Sequence, residues 1–321
     1  MRVLVTGGGG FLGSAVCRQL AAGGHQVIAY QRSRADHLAP HGVVSAQGEI
    51  TDQTALRAAC SGCDAVVHTA GKAGVWGDPA DYERVNVAGT AKVIEACRAQ
   101  DISCLVHTSS PSVVHSGGDI EGADESLPLA DHFTAPYPAS KARAEALVMQ
   151  ANDAELRTVA LRPHLIWGPG DPHILPRLVA KVRRGKLLLP GPDKIIDTIF
   201  VENAALAHVK ALQELAGGGA CAGKPYFVTN NEPLRQREII ARLLDAVGLR
   251  VEIRPVSLPL AMFVAGACEL IWKILPLRSE PPVTRFSVEQ LATAHWFDTR
   301  AAERDFGYRP VISIEEGLKT L

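Results

Sequence analysis

The sequence predicts an α/β fold: a doubly wound parallel sheet with helices on both faces and a smaller, interleaved C-terminal portion. Two observations predict this fold class. Short apolar, β-branched runs recur through the first half of the chain, and segments with helical periodicity separate them. Strands that are buried on both faces and joined by helices form a parallel sheet covered on both sides. The 321 residues are 47% hydrophobic and 21% charged, which suffices for one large core of this kind.

The elements follow in a regular order. The first strand, 3–6, enters a glycine turn at 7–13, and an apolar-periodic helix follows to residue 20. Further strands are expected at 27–30, 43–46, 65–69, 105–108 and 158–161, with helices at 80–100 and 139–151. After Arg162-Pro163 the sequence becomes richer in proline and less regular. Ligands of such sheets bind at the carboxyl ends of the strands, so those ends are where reactive residues are expected.

Charge and cysteine content exclude several classes of protein. The 33 Lys and Arg against 34 Asp and Glu leave no basic excess for nucleic acid or a polybasic membrane contact. The seven cysteines are odd in number, lie mostly among apolar residues and follow no secretory signal, which predicts reduced thiols in a cytoplasmic protein. Cys60 and Cys63 have the spacing of a redox motif, but no second pair completes a zinc site, and we expect no metal.

The glycine turn has the pattern of a dinucleotide-binding loop. Two registers fit, Gly8-x-Gly10-x-x-Gly13 and Gly7-x-x-Gly10-x-x-Gly13. Either one lets the backbone approach a pyrophosphate at a helix N-terminus, directly after a strand. The alternative is a tight turn that binds no ligand.

The end of the second strand indicates which dinucleotide is bound. An NAD site places an acid there to bind the ribose hydroxyls, but Gln31 stands 18 positions beyond Gly13, about where that acid would be. Arg32 and Arg34 follow and can pair with a 2′-phosphate. We therefore predict NADP(H), the alternative being two solvated loop arginines.

The predicted organisation is a Rossmann-type NADP-binding domain, 1–165, completed by 195–230, with a substrate-binding portion formed by 166–194 and 231–321.

A tyrosine, a lysine and a serine form the candidate catalytic group. Tyr137 and Lys141 are four residues apart, on one face of a helix that Pro136 opens. A neighbouring ammonium favours the phenolate, so we expect Lys141 to lower the pKa of Tyr137. Ser110 follows a buried strand, 27 residues before the tyrosine, and can bind the same substrate oxygen.

From end to end the chain resembles the extended short-chain dehydrogenase/reductases. The matching segments, in the order of that family, are 6–13, Val67-His68-Thr69-Ala70-Gly71, Asn86 to Thr90, Thr108-Ser109-Ser110, Tyr137 to Lys141, Leu161-Arg162-Pro163, Gly168 to Asp171 and Phe306 to Pro310. Within that group, 200–208 and 226–230 resemble the 3β-hydroxysteroid dehydrogenase/isomerase family. More narrowly, 72–77, 165–171 and 280–286 resemble the reductases that act on 2-alkyl-3-oxoalkanoates in bacterial long-chain olefin biosynthesis.

The resemblance implies roles for particular residues. Ser110, Tyr137 and Lys141 would be catalytic, and Lys141 would also hold the nicotinamide ribose. The residues expected at the cofactor are Gly7, Gly10, Phe11, Leu12, Gly13, Arg32, Arg34, Glu49, Ile50, Thr69, Ala70, Asn86, Thr108, Tyr137, Lys141 and Pro163. The candidates for the substrate are Lys72, for a carboxylate, with Trp76, His164 and Trp167; the alternatives are a solvated loop lysine for Lys72 and a plain loop residue for His164. A homodimer through 80–100 and 139–151 is also implied.

The segment 258–277 is strongly apolar, but its uncharged run is too short to span a bilayer. Three interpretations remain: a cover over a hydrophobic substrate channel, a helix lying in a membrane surface, or plain core packing.

We predict an NADPH-dependent reductase of a hydrophobic, fatty-acyl-derived 2-alkyl-3-oxoalkanoic acid, giving the 3-hydroxy acid. The alternatives are an NAD(P)-dependent hydroxysteroid or sterol dehydrogenase, a sugar-nucleotide epimerase, and a non-catalytic NADP-sensing protein.

Overall fold

The computed structural model describes residues 1–182, 185–275, 277 and 279–321. Arg183, Arg184, Pro276 and Arg278 lie outside the described residues, so the predicted segments 166–194 and 258–277 are each described in part. The strands are β1 (Arg2–Thr6), β2 (Gln26–Gln31), β3 (Val44–Gln47), β4 (Ala65–His68), β5 (Cys104–Thr108), β6 (Ile120–Ala123), β7 (Arg157–Pro163), β8 (Ile166–Trp167), β9 (Lys186–Pro190), β10 (Ile195–Ile196), β11 (Ile199–Phe200), β12 (Lys224–Val228), β13 (Leu234–Arg235), β14 (Glu252–Val256) and β15 (His295–Phe297).

The helices alternate with these strands. They are α1 (Phe11–Ala22), α2 (Gln53–Cys60), α3 (Pro79–Tyr82), α4 (Gly89–Ala99), α5 (Pro136–Gln150), α6 (Ile174–Lys181), α7 (Val201–Ala216), α8 (Gln236–Ala246), α9 (Leu258–Ile274), α10 (Arg285–Ala292), α11 (Arg300–Phe306) and α12 (Ile314–Leu318). The helix expected over 80–100 is interrupted, because a π-helical turn, Glu83–Ala88, joins α3 to α4. Such turns often mark places where a side chain is redirected into a functional region.

A seven-stranded sheet in the order β12-β7-β5-β4-β1-β2-β3 forms the centre of the molecule. All its strand pairs are parallel. The central strands are buried on both faces because helices cover both sides, as the continuous apolar runs predicted. The strand order reverses between β1 and β4, and sheets of this type bind ligands at that point. The predicted α/β class and Rossmann-type sheet are confirmed.

The smaller portion adds short sheets beside the carboxyl ends of the central strands. One has the order β13-β10-β15-β6, while β14 pairs with β9 and β11 pairs with β8. A separate apolar cluster of Leu187, Leu189, Ile240 and Leu244 supports β9 and α8. This portion therefore stands over the reactive edge of the sheet with its own small core.

Helix α9 does not pack into the core. Ala265 is its buried residue, whereas Phe263 is 75% exposed and Ile274 is 68% exposed. The structure therefore excludes plain core packing for this segment. Within the described ranges, no helix combines the length and the apolar character that crossing a bilayer requires.

The seven cysteines are free thiols. Six are buried, and Cys268 on α9 is half-buried. Burial raises the pKa of Cys60 to about 12 and also raises that of Cys63, so both stay protonated at neutral pH. These pKa shifts argue against a redox role for the pair.

Candidate active site

A cavity of about 1160 Å³ lies along the carboxyl ends of β1, β2, β4, β5 and β7. One end is formed by the glycine turn, and the other runs between α6, β9 and α10. The cavity is thus long enough to contact both the dinucleotide loop and the smaller portion of the chain.

The glycine turn closes tightly at the N-terminus of α1. Gly7 has φ +69°, and a Cβ on Gly13 would lie 2.1 Å from the Gly7 carbonyl oxygen, so neither position tolerates a side chain. Gly10 precedes the helix and no side chain caps it, which leaves the first N–H groups of Phe11 and Leu12 facing the cavity. These features fit a pyrophosphate, whose charge the helix N-terminus favours.

The end of β2 supplies the arginines that the sequence indicated. Arg32 and Arg34 line the cavity, and Arg34 Nε donates to Asp36 Oδ1 at 2.8 Å. The Gln31 side-chain oxygen accepts from the Gly9 amide and so holds the turn. His37, which the sequence analysis missed, lines the same region and lies 3.0 Å from the Ser14 hydroxyl. No sequence motif identifies His37, because its position at the cavity depends on a short 3-10 turn after β2.

Most of the other expected cofactor residues also line the cavity; they are Glu49, Ile50, Thr69, Ala70, Thr108 and Pro163. Asn86 does not. Its side-chain oxygen accepts from the Lys72 amide at 2.7 Å, and its nitrogen donates to the Lys72 carbonyl at 3.0 Å and to Ser140 Oγ at 2.9 Å. The prediction of a cofactor contact for Asn86 is therefore corrected: the π-helical turn buries its amide behind the wall, where it fixes the loop after β4.

Ser110 and Tyr137 face each other across the cavity at the end of β5. Ser110 begins the short 3-10 turn Pro111–Val114, and its hydroxyl lies 2.9 Å from that of Ser112. Tyr137 is the second residue of α5. Burial raises the pKa of Tyr137, and a hydrogen bond with Ser110 opposes the rise only in part. The phenol therefore holds its proton at neutral pH.

Lys141 is buried one turn further along α5. Its ammonium donates to the Thr108 carbonyl and lies 3.4 Å from His107 Nε2. Burial lowers the pKa of Lys141 from its ordinary 10.5 to about 8, while the Glu145 carboxylate acts in the opposite direction. The expected lowering of the Tyr137 pKa is absent, because desolvation outweighs any effect of an ammonium that is bound to a backbone carbonyl.

A buried ionic network supports the strand end beneath Ser110, and the sequence analysis missed it. Ser109 donates to the Glu145 carboxylate, and Arg162 Nε donates to the same carboxylate at 3.0 Å. The Arg162 and Glu145 side chains are each 3% exposed. The sequence feature that could have indicated this network is Glu145, an acidic residue four positions after Lys141 on the same buried face of α5.

The expected substrate residues separate into two groups. Lys72 and His164 line the cavity, whereas Trp76 and Trp167 do not. Trp167 is 1% exposed, packs on Phe200 with ring centroids 5.2 Å apart, and donates from Nε1 to Thr198 at 3.0 Å. The prediction for Trp167 is therefore corrected to a core residue, because β8 pairs with β11 and turns the indole inward.

Trp76 is placed by the same loop that carries Lys72. Its carbonyl accepts from the Tyr82 hydroxyl at 2.9 Å, so its contribution is to the shape of the loop. The Lys72 ammonium is already paired with Asp81 at 2.8 Å and lies 4.8 Å from the centre of the Tyr82 ring. Trp76 does not line the cavity, whereas Lys72 does, and its contact with a substrate carboxylate stays a prediction.

Comparison with known proteins agrees with the fold. Residues 4–260 match the 3-beta hydroxysteroid dehydrogenase/isomerase family. The chain is 51% identical to a 2-alkyl-3-oxoalkanoate reductase of Stenotrophomonas maltophilia, covering 100% of this chain and 98% of that one. It is 45% identical to a 2-alkyl-3-oxoalkanoate reductase of Shewanella oneidensis, covering 99% and 84%.

Among solved structures, a dTDP-glucose 4,6-dehydratase of Streptomyces venezuelae with NAD bound is 25% identical, with a TM-score of 0.75 over 100% of this chain and 95% of that one. The parallel sheet, the glycine turn and these matches agree. The chain belongs to the 3-beta hydroxysteroid dehydrogenase/isomerase family and is a nicotinamide-dependent oxidoreductase with the extended short-chain dehydrogenase/reductase fold.

Proposed function

We propose that the protein reduces a hydrophobic 2-alkyl-3-oxoalkanoic acid to the 2-alkyl-3-hydroxyalkanoic acid with NADPH. The observation that carries this proposal is the apolar part of the cavity wall, formed by Ile174, Leu178, Leu187, Leu189 and Leu291, in the same cavity as Ser110 and Tyr137. Such a wall suits alkyl chains better than a sugar diphosphate. The names of the relatives support the same substrate class.

NADPH is favoured over NADH by the side chains at the end of β2. Arg32 and Arg34 line the cavity there, and Gln31 stands where a ribose-binding acid is expected. Arg32→Ala should weaken NADPH binding at least about tenfold and leave NADH binding within about twofold, since only NADPH carries the 2′-phosphate. Fluorescence titration of both cofactors measures this. Arg250→Ala, at a side chain that is 95% exposed, is the control; equal losses for both cofactors would contradict the assignment.

The residues at the cavity divide the chemistry between them. When bound, the reduced nicotinamide supplies the hydride to the ketone carbon. The neutral Tyr137 phenol donates its proton to the ketone oxygen, and the Ser110 hydroxyl donates a hydrogen bond to that oxygen. Both contacts strengthen as the oxygen gains charge in the transition state, so they increase kcat.

Tyr137→Phe tests this division of roles. Loss of the proton donor should lower kcat by about 10²- to 10⁴-fold, while NADPH binding stays within about twofold. Tyr226→Phe is the matched control, because Tyr226 is also buried but donates to Asp305, away from the cavity. Substantial activity in Tyr137→Phe would refute the mechanism.

The substrate is tested with a panel of 2-alkyl-3-oxo acids, 3-oxosteroids and UDP-sugars, followed by NADPH consumption. A preference for the oxo acids supports the proposal. Turnover restricted to steroids would favour the hydroxysteroid dehydrogenase alternative, which the family name keeps open. NADPH binding without turnover of any of the three would favour the sensing protein.

We also propose a homodimer through α4 and α5, and a peripheral membrane contact through α9. The dimer is expected from the resemblance, and light scattering on the purified chain tests it.

The membrane contact is supported by the exposed apolar side chains Phe263, Leu270 and Ile274. Phe263→Ser should abolish co-sedimentation with phospholipid vesicles; retention of binding would exclude α9 as the contact.

A further inference from the structure

His164 and Asp197 form a buried pair in the cavity wall that the proton-transfer chemistry does not use. His164 Nδ1 lies 2.6 Å from Asp197 Oδ1, and the other Asp197 oxygen accepts from the Phe297 amide at 2.9 Å. Because a carboxylate only accepts, the His164 Nδ1 carries a proton. Among the described residues Nε2 has no hydrogen-bond partner, and the ring lines the cavity. The pair thus presents one oriented ring nitrogen to a ligand.

Two further histidines surround this ring without adding charge. The His295 ring lies 5.8 Å from that of His164 and 5.1 Å from that of His115. The Thr293 hydroxyl donates to the Glu289 carbonyl, so its oxygen is left to accept from Nε2 of both His115 and His295. Burial lowers the pKa of His115 and lowers that of His295 to about 2, which keeps both rings neutral. Two neutral rings therefore pack beside His164.

Two other cationic side chains of the cavity wall are paired with carboxylates. Lys72 pairs with Asp81 at 2.8 Å, and Arg177 pairs with Glu280 through two hydrogen bonds of 2.9 and 3.0 Å. Lys181, at the last turn of α6, also lines the cavity, and burial lowers its pKa. His164 differs from these side chains because a buried carboxylate fixes its ring, which makes it a pre-oriented partner for an anionic group in the wall.

The position of His164 suits a 3-oxo acid. Thr108 of β5 is in register with Leu161 of β7, and the Ser109 amide donates to the Leu161 carbonyl. Ser110 and His164 thus follow the ends of two adjacent strands, and both line the cavity. In a 3-oxo acid the carboxyl carbon is two bonds from the ketone carbon, so the residue that binds the carboxylate must belong to the wall that carries Ser110.

We propose that the His164–Asp197 pair is the subsite for the substrate carboxylate, with His164 Nε2–H donating to it. This inference rests on the proposed function. Asp197 fixes the ring, so it is a positioning residue, whereas His164 contacts the substrate. The subsite selects carboxylic acids over esters and simple ketones of the same chain length.

The test compares a stable 2-alkyl-3-hydroxy acid with its methyl ester, both oxidised with NADP⁺. His164→Phe should increase KM for the acid at least about tenfold, with kcat and the KM of the ester nearly unchanged. His164→Gln, which keeps a donor near Nε2, should recover part of the loss. Lys72→Met should retain the wild-type ratio of acid to ester, and melting temperatures and NADPH affinity show which variants are folded.

Three outcomes overturn the inference. Equal effects of His164→Phe on acid and ester would show a general structural role, and loss of acid preference in Lys72→Met would move the subsite to Lys72. If His164→Phe does not fold, His164→Gln and Asp197→Asn apply the same comparison. A wild-type enzyme that oxidises both substrates equally refutes the carboxylate subsite alone. One that oxidises neither, but does oxidise a sterol, refutes the proposed function and the subsite with it.

Discussion

Replacing Lys141 by methionine should stabilise the protein at neutral pH while it removes activity. The ammonium is buried one turn after Tyr137 on α5, where desolvation lowers its pKa from 10.5 to about 8. At 1.36 kcal/mol per pH unit, that interval corresponds to about 3 kcal/mol of destabilisation when the amine is charged in both states. Loss of the hydrogen bond to the Thr108 carbonyl offsets about 1 kcal/mol. The expected net gain at pH 7 is therefore about 2 kcal/mol.

The pH dependence of this gain has a definite sign. Between pH 8 and 10.5 the unfolded chain keeps the Lys141 proton while the folded chain loses it. The free energy of unfolding of the wild type therefore rises with pH in this window, relative to that of Lys141→Met. Above pH 10.5 the charge penalty in the wild type is gone. Below about pH 8 the penalty is present in full.

Urea denaturation of both proteins from pH 6.5 to 11 measures the difference in free energy of unfolding. Because both chains share the other titrating groups, the difference isolates Lys141. Lys319→Met, at an exposed side chain paired with Glu315, should give a flat difference and serves as the control. A difference that is flat for Lys141→Met, or that widens above pH 8, would refute the assignment of a desolvated, charged lysine.

Two other substitutions test the positions of cavity and core residues. Leu165 lines the cavity with φ +46°, and Leu165→Asn should raise the free energy of unfolding by about 1 kcal/mol, since asparagine tolerates this conformation. It should also increase KM for long-chain substrates, whereas Leu188→Asn, on a regular strand, should leave stability nearly unchanged; the same change in free energy of unfolding in both variants would show that strain is not the cause. Trp167→Phe should cost about 2 kcal/mol by denaturation, through the lost bond to Thr198, and leave KM within about twofold. A large increase in KM would return Trp167 to the substrate site.

The sequence was sufficient where the chemistry depends on neighbours along the chain. The glycine turn, Ser110 at a strand end and Tyr137 at the start of α5 are local patterns, and the parallel sheet brings their strand ends together without further information. The central strands could also be predicted, because burial on both faces produces a continuous apolar run within each strand. The class of fold and the general position of the site therefore follow from short-range signals.

The direction of several side chains could not be predicted in this way. Trp167 turns inward because β8 pairs with β11, more than 30 residues later in the chain. Asn86 turns away from the cavity because a π-helical turn shifts its register by a fraction of a turn. The His164–Asp197 pair likewise joins residues that no local motif connects. Each of these depends on tertiary pairing, which periodicity does not encode.

Buried charge at the end of β5 links stability to catalysis. Lys141, Arg162 and Glu145 lie together under Ser109 and Ser110, and two positive charges against one negative leave a net positive charge there. In a medium of low polarity this charge is costly for folding, as the lowered pKa of Lys141 indicates. The same charge favours the negative oxygen that forms during ketone reduction, and it is oriented before the substrate arrives. Stability and kcat should therefore change in opposite directions in Lys141→Met, and a variant that gains stability with full activity would break this link.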